Sequence, residues 1–150
     1  MAQSLANVLV YFDFSTKNRQ PWITEEFQPD VAAYIAGLFR NHDCPILIVN
    51  ARPDHVHSLA ALSRTRSISD IMEAVKGVSS GWIKSKDPRF HAFQWPGGYG
   101  AFSASPSRKE IVRRYIANQR EHHRRFSFEE EYRRLRERYG VPYDERYLWS

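Results

Sequence analysis

The order in which hydrophobic periodicity changes along this chain restricts its fold more than any other feature. Leu5 to Thr16 carries Val8, Val10, Tyr11, Phe12 and Phe14, β-branched and aromatic side chains that favour an extended strand. Lys17 to Pro21 is a polar loop. Pro29 then opens a segment in which Val31, Tyr34, Ile35, Leu38 and Phe39 recur at helical spacing, ending near Asn41. Pro45 to Asn50 is a short apolar run that reads as a second strand. Ala51-Arg52-Pro53 is a turn, and Asp54 to Leu62 is expected to be the hairpin partner. Ser67-Ile68-Ser69-Asp70 has capping-box spacing and predicts a second helix to about Lys84. Lys86 to Pro96 reads as irregular and Tyr99 to Ser103 as a fourth strand. Ser105-Pro106 predicts a third helix to about Arg124, and Ser127-x-x-Glu130 a last one that ends at Gly140.

Strand, helix, strand, strand, helix, strand, followed by two helices, is the order of an α+β, ferredoxin-like (RRM-like) fold. The expectation is an antiparallel sheet with helices packed on one face, the other left for a partner or an active site, plus C-terminal helices. At 150 residues and 42% hydrophobic composition, the chain suits a single domain over 1–150 with a real core. RNA-recognition modules share this order, so the fold alone does not choose a function.

No apolar run approaches the ~20 residues of a membrane span. The apolar stretch Ser4 to Phe14 lacks a basic front end and a small-residue cleavage site, and reads as a strand rather than a signal peptide. The one cysteine, Cys44, permits no internal disulfide, which fits a reducing cytoplasm. The formal net charge is +5, and basic chains often meet polyanions. Its distribution is uneven. Between Ser105 and Arg125, Arg108, Lys109, Arg113, Arg114, Arg120, Arg124 and Arg125 face only Glu110 and Glu121. With 14% aromatic residues, a cationic groove with stacking rings would suit single-stranded nucleic acid.

Two segments carry chemistry. In Pro53-Asp54-His55-Val56-His57-Ser58-Leu59, residues two apart on a strand point the same way, so His55 and His57 share a face. Two imidazoles on rigid backbone make a pair of metal ligands, although they also read as polar residues on a half-exposed strand. A third ligand must come from elsewhere, and Leu59 stands where a third alternate histidine would. No Cys-x-x-Cys or His-Glu-x-x-His pattern supports the usual zinc sites. In Arg113 to His123, Tyr115 and Gln119 lie four apart on one helical face, with Arg113, Arg114 and Arg120 nearby to hold phosphates. Tyr115 could attack phosphorus while Gln119 offers a carbonyl oxygen to a hard cation. Tyr115 also continues the apolar stripe Ile111, Val112 and Ile116, which reads equally as core packing. Gln119 on that stripe is unusual for a core, because a buried amide needs partners.

Asp54-His55-Val56-His57, Trp95-Pro96-Gly97-Gly98-Tyr99-Gly100-Ala101-Phe102-Ser103 and Tyr115-Ile116-Ala117-Asn118-Gln119-x-x-His122-His123 together resemble the HUH single-tyrosine transposases of small bacterial insertion sequences and REP-associated elements. Phe14 to Pro21 and Tyr143 to Trp149 are similar to that family as well, so the resemblance spans nearly the whole chain. It implies a ferredoxin-like fold, a homodimer, and a divalent cation, Mg²⁺ or Mn²⁺. His55 and His57 correspond to the metal-binding pair, Tyr115 to the nucleophile and Gln119 to the third ligand. The tyrosine helix can serve the partner's histidine pair in relatives. Ser58 departs from the bulky apolar residue common there, and alternation turns it away from the metal face.

The reaction implied is cleavage and rejoining of single-stranded DNA through a 5′-phosphotyrosine link, at a substrate that carries a hairpin. Arg113, Arg114, Arg120 and Arg124 are candidates for backbone contacts, and Trp95, Tyr99 and Phe102 for stacking or for core packing. The implied location is the bacterial cytoplasm, in association with the nucleoid. Two alternatives remain: a non-catalytic single-stranded nucleic-acid binding protein with an RNA-recognition-like fold, and a replication or relaxase-type nickase. The first leaves His55, His57, Tyr115 and Gln119 together unexplained, and nickases of the second kind usually carry further domains.

Overall fold

Alternation along Leu9–Ser15 divides the molecule. Val10, Phe12 and Phe14 enter one core, and Leu9 and Tyr11 enter another on the opposite face. This strand, β1, is central in the computed structural model, which describes residues 5–118 and 128–140. β2 (Ile46–Ala51), β3 (His55–Ala61) and β4 (Gly100–Ala104) complete a four-stranded sheet in the order β2-β3-β1-β4. β1 pairs antiparallel with β3 (Leu9 opposite Ala61, Ser15 opposite His55) and with β4 (Leu9 opposite Ala104, Asp13 opposite Gly100). β2 and β3 form the expected hairpin, with Asn50 opposite His57. The order is that of the ferredoxin-like fold.

Two helices cover the first face. α1 (Gln28–Asn41) carries Pro29 in its first turn and buries Val31, Ile35, Leu38 and Phe39, the stripe read from the sequence. α2 (Ile68–Lys86) starts where the Ser67 hydroxyl accepts from the Asp70 N–H at 3.1 Å, and it buries Ile71, Met72, Val75, Ser79 and Ile83. The Phe12 and Phe39 rings meet at 5.4 Å. A fully buried phenylalanine of this kind contributes about 3–5 kcal/mol relative to alanine. Ser79 is satisfied within the core by the Trp95 indole N–H at 3.0 Å.

The second face is not bare. α3 (Lys109–Ala117) lies over β2 and β3, and Ile116 closes a smaller core with Leu9, Tyr11, Leu59 and Phe102. On α4 (Phe128–Tyr139), Tyr139 donates to the Ser103 carbonyl at 3.0 Å and sets its ring 5.0 Å from Phe102.

Two boundaries differ from expectation. β1 begins at Leu9 rather than Leu5, because both partner ladders end opposite Leu9; Leu5 is 87% exposed. Pro106 opens a 3₁₀ turn (Pro106–Arg108), and the α-helix starts only at Lys109. That helix ends at Ala117, with the Asn118 N–H bonded to the Arg114 carbonyl at 3.0 Å; the rest of the expected helix, to Arg124, lies outside the described residues. Among the described residues no helix is long and apolar enough to cross a membrane.

Candidate metal and nucleophile site

The sheet register gathers the polar residues of the second face at one end. From β2 to β4, one row reads Asn50, His57, Asp13, Gly100, and the next reads Ile48, Leu59, Tyr11, Phe102. His55 stands beyond His57, opposite Ser15. His55 and His57 therefore share a face, as their spacing requires, and both are buried; their ring centroids are 4.5 Å apart at 86°. Ser58 points to the other core, opposite Phe12, so its departure from a bulky residue acts on packing alone.

Each imidazole is braced through Nδ1. The Asp54 carboxylate accepts from His55 Nδ1 at 2.6 Å. A carboxylate can only accept, so Nδ1 carries a proton, and Nε2 is the nitrogen through which a neutral His55 would ligate a cation. The Tyr11 hydroxyl contacts His57 Nδ1. A hydroxyl can donate to Nδ1 or accept from Nδ1–H, and in the tautomer where it accepts, Nε2 is the nitrogen through which His57 would ligate a cation. The pair therefore fits a divalent cation in donor chemistry and in bracing. It does not enclose one alone: among the described residues no three His, Cys, Asp or Glu side chains form a metal-binding group.

α3 brings the candidate nucleophile to this end of the face within the same chain. The Asn50 side chain donates to the Ile116 carbonyl at 2.8 Å, fastening the last turn of α3 over the row that holds His57. The neighbouring Tyr115 ring lies 6.4 Å from the Tyr11 ring, which is itself 5.6 Å from His57. Tyr115 also packs, half-buried, against the second core with Val112 and Ile116, while Ile111 of the same expected stripe is exposed. Arg113 and Arg114 are exposed on α3. Arg113 is engaged by Glu110 at 2.8 Å, a pairing that holds the Glu110 carboxyl below and the Arg113 guanidinium above their usual ranges. Gln119, Arg120, Arg124, His122 and His123 lie outside the described residues, as does the Tyr143 to Trp149 segment.

Of the candidate stacking residues, Trp95 is wedged edge-on between Phe14 and Phe93 at 4.8 Å from each, and Phe102 is buried under Tyr139. Both are packing residues. The segment after β1 turns sharply through Asn18 (φ 56°) and Arg19 (φ 54°), a left-handed conformation that costs ~1–2 kcal/mol per ordinary residue. Its start is tied to the histidine strand by the Thr16 N–H on the Asp54 carbonyl at 2.8 Å.

Sequence reasoning missed Tyr11, Asp13, Asn50 and Asp54 as parts of this site. Asp13 had one legible signal, a carboxylate within an otherwise apolar strand.

The fold and this pair of braced histidines narrow the class to small sheet-based proteins with a potential metal site on one sheet face. The family model described as transposase IS200 like matches residues 5–119. The chain belongs to that transposase family. Among solved structures, a provisionally assigned transposase from Deinococcus radiodurans R1 is similar, with 20% identity and a TM-score of 0.61, covering 79% of this chain and 98% of its own. A REP-associated tyrosine transposase bound to a REP hairpin is also similar, with 15% identity and a TM-score of 0.59, covering 82% of this chain and 74% of its own. At these identities the likeness is one of fold. No curated protein matches the chain significantly.

Proposed function

We propose that this transposase cleaves and rejoins single-stranded DNA through a 5′-phosphotyrosine link at Tyr115, with a divalent cation at His55 and His57. The observation that supports this most is the placement of Tyr115 beside Tyr11, the residue that braces His57. His55 and His57 would hold Mg²⁺ or Mn²⁺ through Nε2, with Gln119 as third ligand. When bound, the cation supplies Lewis-acid polarisation and charge neutralisation at the scissile phosphate. The Tyr115 oxygen attacks phosphorus, forming the Tyr–O–P bond as the P–O3′ bond breaks. The phenol gives up its proton and the leaving O3′ takes one. A free phenol has a pKa near ~10, so nearby positive charge must favour its ionised form. Because the ester conserves the bond, a second strand's 3′-hydroxyl can reverse the step and join DNA without ATP.

Arg113, Arg114, Arg120 and Arg124 hold the DNA backbone in this reading. The substrate is single-stranded DNA with a hairpin that sets the cleavage position, as the hairpin-bound REP transposase of like fold suggests. The setting is the bacterial cytoplasm, at the nucleoid.

Labelled single-stranded oligonucleotides incubated with Mn²⁺ and run on a denaturing gel test the chemistry. The parent should give a protein-linked band that EDTA abolishes. Tyr115→Phe should lose cleavage by on the order of 10³-fold or more and still shift the DNA under native conditions. Full cleavage by that variant removes the tyrosine from the mechanism, and undiminished cleavage in EDTA removes the metal. A native shift without any linked band supports the non-catalytic binder instead. The proposed assembly is a homodimer. Sedimentation at micromolar concentration should give twice the chain mass, and an active monomer would contradict it.

A further inference from the structure

β1 carries a carboxylate where apolar side chains otherwise stand. Asp13 is fully buried on the site face of the central strand, between His57 on β3 and Gly100 on β4. Directly opposed residues on antiparallel strands hold their β-carbons about 4.5–5.5 Å apart, so Asp13 and His57 are immediate neighbours. On the other side, the missing side chain at Gly100 admits the carboxyl group: a β-carbon there would stand 2.3 Å from Asp13 Oδ1 and 2.9 Å from the Phe102 ring. Asp13, Ser15, His55 and His57 thus form a buried polar end of a face whose other end is apolar.

A buried carboxylate is costly unless positive charge lies near it. Mg²⁺ and Mn²⁺ in turn favour anionic oxygen, and two neutral imidazoles bring no negative charge. Resting on the reading of His55 and His57 as metal ligands, we propose that Asp13 is a positioning residue of the metal centre, its carboxylate placing beside His57 a negative charge like the one Asp54 places beside His55. It acts across the His57 ring rather than as a direct ligand, since Asp13 and the two histidines do not form a metal-binding group by themselves. Gly100 is the second part of the device, because any side chain there would push the carboxylate off this position.

Mn²⁺ titrated into the full chain without DNA, followed through the free-ion electron paramagnetic resonance signal, reads the affinity independently of catalysis. Asp13→Asn keeps the shape and removes the charge. Its Mn²⁺ Kd should rise about tenfold or more, in the range of lost outer-shell support, with the metal-free melting temperature unchanged or higher. Gly100→Ala keeps the charge and displaces it, should also weaken Mn²⁺ binding, and decides the matter if Asp13→Asn does not fold. A Kd within about threefold of the parent's, well short of that range, overturns the role of Asp13 and leaves the histidine pair standing. A parent that binds no Mn²⁺, or binds it equally after His57→Ala, overturns the metal reading and this inference with it.

Discussion

His57 is held from two strands at once, by its backbone on β3 and by the Tyr11 hydroxyl of β1 at Nδ1. A metal-binding imidazole depends on the group at its other nitrogen, because that group fixes the tautomer and the ring plane. Tyr11→Phe removes only the hydroxyl and keeps the ring against Tyr115 and Phe102. Mn²⁺-dependent cleavage should fall about 10- to 100-fold, while stability drops by only about 1 kcal/mol. Single-turnover cleavage and thermal melting measure the two effects, and full cleavage by Tyr11→Phe would remove the brace from the account. The histidine pair was legible in the sequence because alternation is a local property of a strand. Tyr11 was not, since it meets His57 across 46 positions of sequence, through a register that no local pattern prints. Asp54 was adjacent to His55 all along, but its role depends on a side-chain direction that only the fold determines.

Elements were legible in proportion to how far their limits are local. α2 is fixed by the Ser67 cap and a periodic stripe, and its start was read to the residue. The last turn of α3, which ends at Ala117, is fastened from a distance. The Ile116 carbonyl is one of the orphan acceptors of a last turn, and it accepts from Asn50, 66 positions earlier. The approach to β4 is likewise fastened from a distance. Lys76 on α2 donates from Nζ to the Pro96 carbonyl and to the Gly98 carbonyl, the latter at 2.9 Å, and lies over the Tyr99 ring at 5.9 Å. Burial pushes the Lys76 ammonium below its ordinary value of 10.5. The folded chain therefore releases this proton at lower pH than the unfolded chain, which binds more protons in between, so unfolding becomes harder as pH rises through that interval. Urea denaturation at pH 7 and again near pH 10.5 should show the parent gaining stability relative to Lys76→Met. A pH-independent difference would contradict this.

At the scale of the whole molecule, the sheet separates two tasks. One face buries the larger core under α1 and α2, which makes the sheet rigid enough to hold two imidazoles at fixed spacing. The other face carries an apolar end that seats α3 and a polar end that holds the histidines. The order of elements along the chain was legible because changes of period mark strands and helices without reference to tertiary contacts. The face expected to be left for a partner or an active site also seats α3, because an amphipathic helix buries apolar side chains such as Ile116 on the apolar surface the sheet offers. That docking sets Tyr115 next to Tyr11, whose hydroxyl contacts His57. The most direct test is to trap the reaction on single-stranded DNA with Mn²⁺, digest the protein, and map the nucleotide adduct by mass spectrometry. The account predicts a phosphodiester remnant on the peptide bearing Tyr115 and on no other. Cleavage with the adduct on a different residue, or with no adduct at all, would contradict it.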